Sequence, residues 1–356
     1  MGAGTIAVYA GKGSSHSWTW LADLFEAKGI LDVRFLDSPE FVLNIGSGTS
    51  HAIISGGDGF SIAESLKGEG FRRLRAFVDS GGTYVGVCAG AYLPLPSSLE
   101  PFSEFNISKT KIANIDMSGH EPPNVPPRVS VRYGDCSIVH PIRGEVELDA
   151  DGRKLLAPLY GGPAFLEPQE DKVLLWYRGF TVESELQMRK ALAEQMIPGK
   201  PAAVSCTYGK GRLLLFGPHL EHPRYPEANL LFLEMLGLAP HEARSPTEFK
   251  ETPSLDRAIA DLKVAIVGLE NRSFLVGRKV WDGSRYLELV RAIEARTWTM
   301  EDELAEVLAT SLWRVRESVA GMRVGIESDA DETTGLLVES ARACVDQHFQ
   351  ALVRGR

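Results

Sequence analysis

The cysteine at position 88 is the residue whose setting most strongly indicates chemistry. Cys88 follows a β-rich run and lies in the segment 86–90 (GVCAG), where its neighbours are small. A nucleophile at a sharp strand-to-helix turn needs small neighbours, because the turn is crowded and strained. There the N–H of Ala89 would donate to an acyl oxygen as one half of an oxyanion hole. Pro94 and Pro96 limit the following helix to a turn or two, so its dipole should contribute little to the thiolate. A buried structural cysteine is the alternative interpretation.

His219 and Glu221 supply a base and a carboxylate for such a thiol. They lie past the end of a strand-like run and two residues apart, so their side chains share one side of an extended chain. A base beside the thiol and a carboxylate that fixes its tautomer form the generalised catalytic triad. His222 is the alternative base and Glu227 the alternative carboxylate, and a solvated surface turn would explain the segment without any chemistry.

Glycine-rich turns follow two of the strand-like runs. Gly56 and Gly57 would let backbone N–H groups approach a substrate oxygen, and the N–H of Gly57 is the candidate second oxyanion donor. A plain turn between strand and helix is the alternative. The segment 11–14 (GKGS) lacks the full Walker spacing, so we predict no phosphate-binding loop and no cofactor. The four cysteines are scattered, and no metal site is predicted.

The elements that must position these residues alternate between strand and helix. β-rich runs predict strands at 5–10, 32–36, 52–54 and 83–87. Helical periodicity predicts helices at 18–28 and 71–79. This alternation implies a parallel sheet with helices on both faces, an α/β fold. Ligands of such sheets bind at the carboxyl ends of the strands, which is where the glycine-rich turns and Cys88 fall.

The rest of the chain is divided by a change in composition. Between 94 and 157 a proline-rich loop spans 122–127, and short strands are predicted at 129–133 and 145–148. A hairpin at 202–208 and 212–217 and a helix at 228–236 complete a domain over 1–240. The polar, proline-containing segment 239–254 is predicted to be a linker. Beyond it lies an all-helical appendage, the domain 255–356, with helices at 255–269, 285–295, 300–320 and 332–353.

Composition excludes several classes of protein. The chain has 356 residues and a net charge of −9, which argues against a dedicated nucleic-acid binder. No apolar run approaches the roughly 18 residues that cross a bilayer, so no membrane segment is expected. The segment 1–9 has neither the basic nor the apolar region of a secretion signal. Scattered cysteines in a chain of this size are typical of reduced thiols, so a cytoplasmic location is expected.

Several segments taken in order resemble a known family. They are 8–14 (VYAGKGS), 55–57 (SGG), 81–92 (GGTYVGVCAGAY), 160–165 (YGGPAF), 208–211 (YGKG) and 217–223 (GPHLEHP). Over about residues 4–238 the chain resembles the biotin-protein-ligase N-terminal domain family of the class I glutamine-amidotransferase-like superfamily.

The resemblance implies a fold and a set of roles. It implies a flavodoxin-like sheet, with Cys88 as nucleophile, His219 as base and Glu221 as the residue that orients the base. It also implies that Tyr160 and Gly161 lie near the pocket. Nothing downstream resembles a biotin-ligase catalytic domain, so biotinylation is not implied. The long stretch between Cys88 and His219 predicts a covered or reshaped pocket.

Two classes of function fit these residues. The first is cysteine-dependent cleavage of an amide C–N bond in a small molecule, glutamine among the candidates, with ammonia passed to a synthetase partner. The second is a non-catalytic binding or regulatory module, in which the appendage serves homo-oligomerisation or docking. A redox or glyoxalase-type cysteine needs an acidic residue just after the first strand, where this chain has GKGSSH.

Overall fold

The computed structural model describes residues 4–46, 48–116, 130–134, 136–168, 170–241, 251–269, 272–322 and 330–355. The first part of the chain alternates strand and helix. In chain order its elements are β1 (Thr5–Tyr9), α1 (Trp18–Ala27), β2 (Val33–Leu36), α2 (Ser38–Asn44), β3 (Thr49–Ile54), α3 (Gly59–Leu66), α4 (Glu69–Asp79), β4 (Thr83–Val87) and α5 (Ala89–Tyr92).

The middle of the chain is mostly β-structure. Its elements are β5 (Ile115–Asp116), β6 (Ser130–Tyr133), β7 (Cys136–Val139), β8 (Ile142–Ala150), β9 (Arg153–Leu159), β10 (Lys172–Phe180), β11 (Glu185–Leu186), α6 (Lys190–Met196), β12 (Pro201–Tyr208), β13 (Gly211–Phe216) and α7 (Pro226–Leu236). The predicted proline-rich loop at 122–127 lies outside the described residues, as does 242–250 of the predicted linker.

Among the described residues, one mixed sheet organises the α/β part. Its parallel strands run in the order β2-β1-β3-β4-β13, which is the flavodoxin-like arrangement. Beyond β13 the sheet continues with antiparallel strands in the order β12-β10-β8. In register, Val85 of β4 lies between Ile53 of β3 and Leu214 of β13. The predicted fold class is therefore confirmed.

The sheet buries both of its faces. Successive side chains of β1 alternate, so that Ala7 and Tyr9 pack on one face while Ile6 and Val8 pack on the other. The first face is covered by α2, α3 and α4. The second is covered by α1, α7 and the C-terminal appendage, and these form one continuous apolar core.

The C-terminal appendage packs directly on strand β2 at the edge of the sheet. Its elements are α8 (Pro253–Ile266), β14 (Ser273–Val276), β15 (Lys279–Asp282), α9 (Gly283–Glu294), α10 (Asp302–Met322) and α11 (Ala330–Arg354). One detail of the prediction is corrected here, because β14 and β15 pair as an antiparallel hairpin and the appendage is not all helical. Asp346 of α11 accepts hydrogen bonds from Arg34 Nε at 2.9 Å and from the N–H of Phe35 at 2.8 Å, both on β2.

No helix in the described parts of the chain combines the length and the apolar character that a bilayer crossing requires.

Candidate active site

A sharp turn after β4 presents the thiol of Cys88. Cys88 has φ 52° and ψ −108°, a conformation that is costly for a residue with a side chain and is typical of functional turns. The turn forms because its neighbours are glycines. A Cβ on Gly86 would lie 2.5 Å from the carbonyl oxygen of Gly90, and a Cβ on Gly90 would collide with the carbonyl of Ile54. The helix that follows, α5, has a single turn, as the nearby prolines predicted.

His219 and Glu221 meet Cys88 at the carboxyl end of β13. The thiol faces the imidazole of His219 closely enough for each group to shift the pKa of the other. On the other side of the ring, His219 Nδ1 lies 2.7 Å from Glu221 Oε1. All three side chains are buried, with exposed fractions of 3%, 2% and 0%. The N–H of His219 donates to the carbonyl of Pro158 at 2.9 Å, which fixes the backbone that carries the base.

Serine side chains hold Glu221 in turn. Ser55 Oγ donates to Glu221 Oε1 at 3.1 Å, and Ser17 Oγ lies 2.9 Å from Ser55 Oγ. Glu221 Oε2 is buried without a partner among the described residues, so the carboxylate relies on Oε1 for its contacts. The sequence analysis gave no role to Ser17 or Ser55. Ser55 lay inside the SGG motif, whereas nothing in the sequence singled out Ser17.

The electrostatics favour a thiolate and an imidazolium. Burial disfavours the thiolate, but the nearby charges of His219 and Lys279 outweigh burial, so the pKa of the Cys88 thiol lies below its usual range. Burial also disfavours the imidazolium, yet the charges of Glu221 and of the Cys88 thiolate raise the pKa of His219 to about 10. Both shifts favour the thiolate–imidazolium pair over the neutral pair.

Two backbone N–H groups border the nucleophile. The N–H groups of Gly57 and Ala89 donate to no protein acceptor in the described part of the chain. The turn at Gly57 is fixed by a hydrogen bond from the N–H of Asp58 to the carbonyl of Gly13 at 2.8 Å. Gly56 is different, because its N–H donates to Ser17 Oγ at 3.0 Å. Gly56 instead leaves room for the base, since a Cβ there would lie 2.9 Å from Cε1 of His219.

The geometry decides between the alternative residues. His222 Nδ1 accepts a hydrogen bond from the N–H of Arg224 at 3.2 Å. Burial lowers the pKa of His222 to about 4, with a further contribution from His219. Its ring packs against Trp20, with centroids 4.4 Å apart. Glu227 is exposed in the first turn of α7, outside the cavity at Cys88. The structure thus places His219 beside the thiol and Glu221 on the far side of the His219 ring, whereas His222 packs on Trp20 and Glu227 lies outside the cavity.

A cavity of about 280 Å³, the Cys88 cavity, opens in front of the thiol. Tyr160 lines it, and its ring centroid lies 5.8 Å from that of His219. Gly161 does not line it. It lies behind His140, because a Cβ on Gly161 would meet the His140 ring at 3.3 Å, and its carbonyl accepts from Tyr92 Oη at 3.2 Å. Trp20 of α1 forms another part of the wall.

The appendage closes the opposite side of the Cys88 cavity. Lys279 and Asp282 of β15 and Arg285 and Glu288 of α9 line it together with residues of the α/β part. The sequence analysis missed this wall, because helical periodicity at 285–295 carries no information about the surface on which that helix docks. Within the described residues, no three or more His, Cys, Asp or Glu side chains are grouped to hold a metal ion.

A family model matches one segment of the chain. Residues 45–102 match the model of the family described as biotin-protein ligase, N terminal. This segment contains β3, β4 and the Cys88 turn, so the family resemblance predicted from the sequence is confirmed there. An uncharacterized protein of Chlamydia muridarum (strain MoPn / Nigg) is 27% identical over 177 residues. That match covers 49% of this chain, and this chain spans 61% of the length of the chlamydial protein.

Solved structures show more remote similarity. A crystal structure of a glutamine amidotransferase matches with a TM-score of 0.40 and 17% identity, over 66% of this chain and 100% of that one. A catalytic mutant of Gan42B, a GH42 β-galactosidase from G. stearothermophilus, matches with a TM-score of 0.37 and 15% identity. That match covers 63% of this chain but 26% of the galactosidase.

Proposed function

We propose that this protein cleaves an amide C–N bond by nucleophilic catalysis at Cys88. The observation that carries the proposal is the buried Cys88–His219–Glu221 contact, because an ion pair of thiolate and imidazolium oriented by a carboxylate serves this chemistry. The N–H groups of Gly57 and Ala89, which have no protein acceptor among the described residues, are suited to stabilise an oxyanion.

Each step assigns a role to Cys88, to His219 or to the two backbone N–H groups that border the nucleophile. The Cys88 thiolate attacks the amide carbonyl carbon and forms a C–S bond, while Gly57 and Ala89 donate to the oxyanion. The C–N bond breaks, and the His219 imidazolium gives its proton to the leaving amine. His219 then takes a proton from water as that water attacks the thioester. The C–S bond breaks, which releases a carboxylic acid and regenerates the Cys88 thiolate.

Two versions of this activity differ in the fate of ammonia. If glutamine is the substrate, ammonia passes to a synthetase partner, as in amidotransferases. An amidase that acts on another small amide needs no partner. Both versions place the protein among class I glutamine-amidotransferase-like hydrolases, and both belong to the cytoplasmic setting that the cysteines favour.

The test is release of ammonia from glutamine and from a panel of small amides. Cys88→Ala should abolish release, because the nucleophile is gone. Cys136→Ser is the matched control, since Cys136 is a half-buried thiol on β7 that does not line the Cys88 cavity, and it should retain full activity. If the native protein releases ammonia from no amide, the binding or regulatory module replaces this proposal. Release that survives in Cys88→Ala would exclude Cys88 as the nucleophile.

A further inference from the structure

The appendage brings a lysine to the nucleophile. Lys279, the first residue of β15, is half-buried and lines the Cys88 cavity. Among the described residues, its Nζ forms neither an ion pair nor a hydrogen bond with a protein group. A half-buried ammonium without a direct partner is unfavourable, and the Cys88 thiolate and Asp58 compensate its charge only without a direct contact.

The hairpin that carries Lys279 is fixed at its turn. The N–H of Arg278 donates to Asp58 Oδ2 at 3.0 Å, and the N–H of Gly277 donates to Asp331 Oδ1 at 2.8 Å. The guanidinium of Arg278 also lies 4.1 Å from the ring centroid of Phe60. These contacts join the turn to α3 on one side and to α11 on the other. The position of Lys279 at the cavity is therefore set by the fold.

The Cys88 cavity holds more positive than negative charge. Arg143 and Arg285 line it together with Lys279, whereas its acidic residues are already engaged. Glu288 Oε2 accepts from Trp20 Nε1 at 2.7 Å, and Asp282 accepts from the N–H of Ser284 at 3.1 Å. This excess occurs in a chain whose net charge is −9, so it does not reflect the overall composition.

The crowding of these cations has a measurable cost. Burial lowers the pKa of Lys279, and the charges of Arg143 and Arg285 lower it further, although the charges of the Cys88 thiolate and Asp58 oppose this. Burial and the charge of Arg143 also lower the pKa of Arg285, although Asp282 opposes them. An anion bound among these side chains would relieve this repulsion, which is why such clusters bind anions.

We propose that the substrate is an amide whose other end carries a carboxylate but no ammonium group, and that Lys279 binds this carboxylate with Arg285 beside it. This inference rests on the proposed amide hydrolysis. An ammonium group near the carboxylate would approach Lys279 and Arg285, which repel it. The cavity volume of about 280 Å³ restricts the substrate to a small molecule. Hydrolysis of such an amide yields a dicarboxylate.

The first experiment compares three amides that differ in charge. Glutaramate carries a carboxylate, butyramide is neutral, and glutamine carries both a carboxylate and an ammonium group. We expect kcat/KM for glutaramate to exceed the other two at least about tenfold, because one charge-assisted contact changes affinity by roughly 10- to 100-fold. Lys279→Met should remove the preference for glutaramate over butyramide, mainly through KM. Lys172→Met, which removes an exposed lysine on β10, should leave the preference for glutaramate over butyramide unchanged.

Two kinetic outcomes would overturn the inference. One is a preference for glutamine over glutaramate. The other is a glutaramate preference that persists both in Lys279→Met and in Arg285→Met. The ratio between two substrates of one variant is the quantity to compare, because Lys279 also faces Cys88 and its removal changes the reactivity of the thiol towards every substrate.

The second experiment does not need turnover. Glutarate, the hydrolysis product of glutaramate, should slow the alkylation of Cys88 by iodoacetamide in the native protein and in Lys172→Met, but not in Lys279→Met. If glutarate protects Cys88 but the protein hydrolyses no amide, the anion site is supported and only the proposed function is refuted. If the protein releases ammonia but glutarate does not protect Cys88, only the anion site is refuted and the proposed amide hydrolysis stands. Protection that persists in Lys279→Met would show that Lys279 acts only as a counter-charge to the thiolate.

Discussion

Arg296 of the appendage lies 2.7 Å from Glu26 of α1, through its Nη2 and the carboxylate Oε2. The same Nη2 lies 2.8 Å from Asp23 Oδ1, also on α1. The arginine side chain is almost completely buried, whereas both carboxylates are partly exposed. Helix α1 also carries Trp20 of the cavity wall, so this ion pair connects the appendage to the element that shapes the site.

We expect Arg296→Met to destabilise the protein by about 2–3 kcal/mol. Removing one partner of a fully buried pair costs roughly 3–5 kcal/mol, and the partial exposure of Asp23 and Glu26 reduces that cost. Arg72→Ala is the control, because Arg72 pairs with Glu69 on the exposed surface of α4 and should change stability by less than about 0.5 kcal/mol. Urea unfolding measures both. An Arg296→Met protein as stable as the native one would contradict this role.

The thiol of Cys88 should react at a pH where other buried thiols are inert. Alkylation requires the thiolate, and the pKa of Cys88 lies below its usual range, so its rate should already be high at neutral pH. Burial raises the pKa values of Cys206 and Cys344 to about 12, which makes them internal controls. Peptide mass spectrometry after iodoacetamide treatment at several pH values measures the alkylation of each of the three cysteines.

His219→Ala should reverse this behaviour of Cys88. Without the imidazolium, burial dominates and raises the pKa of the thiol, so the thiolate fraction at neutral pH should fall about tenfold or more. The same mass-spectrometric assay measures the loss. If Cys88 in His219→Ala is alkylated as fast as in the native protein, the proposed ion pair is wrong.

Glu221→Gln should lower kcat by roughly 10²- to 10⁴-fold, because the carboxylate that stabilises the imidazolium is lost. The charge of Glu221 holds the pKa of His219 at about 10, against the opposing effect of burial. Activity that needs the imidazolium declines as pH rises through that value, so the decline should move to lower pH in Glu221→Gln. Glu227→Gln, which changes the exposed alternative carboxylate, should keep the native kcat and pH profile. An equal fall in kcat in both variants would contradict the proposed role of Glu221.

Gly56→Ala should impair the site without unfolding the protein. The added methyl group would lie 2.8 Å from Ser17 Oγ and 2.9 Å from His219 Cε1, so both side chains must move. We expect amide hydrolysis to fall about 10- to 100-fold, since small displacements of catalytic groups are costly. Gly321→Ala is the control, because a Cβ there meets nothing within 4 Å in helix α10. It should stabilise the protein by roughly 0.5–1 kcal/mol and leave activity unchanged.

Local sequence patterns predicted the α/β part well. The run at 83–87 corresponds to β4 residue for residue, since a short run of β-branched and aromatic residues that follows glycines is typical of a buried strand. The contact between Cys88 and His219 was anticipated through the resemblance, because both follow strands that are neighbours in the sheet. The preference for His219 over His222 came from the resemblance, as local sequence does not separate two histidines three residues apart that differ only in how the chain turns after β13.

The cavity wall escaped prediction for a physical reason. Lys279 and Arg285 belong to short polar segments, and their importance arises from where the hairpin docks. Docking depends on Asp58 and Asp331, which receive the N–H groups of the hairpin turn and lie far from it in the sequence. Periodicity describes the buried face of an element but does not identify the partner that covers it.

The position of the hairpin between α8 and α9 also determines when the Cys88 cavity is completed during translation. A ribosome delivers Cys88, His219 and Glu221 well before it delivers Lys279. A nascent chain that has already folded its sheet therefore holds the Cys88 thiol with one side of its cavity open to solvent. Only after α11 has emerged does Asp331 become available to hold the hairpin turn, so the final helix is needed to complete the enclosure of the nucleophile.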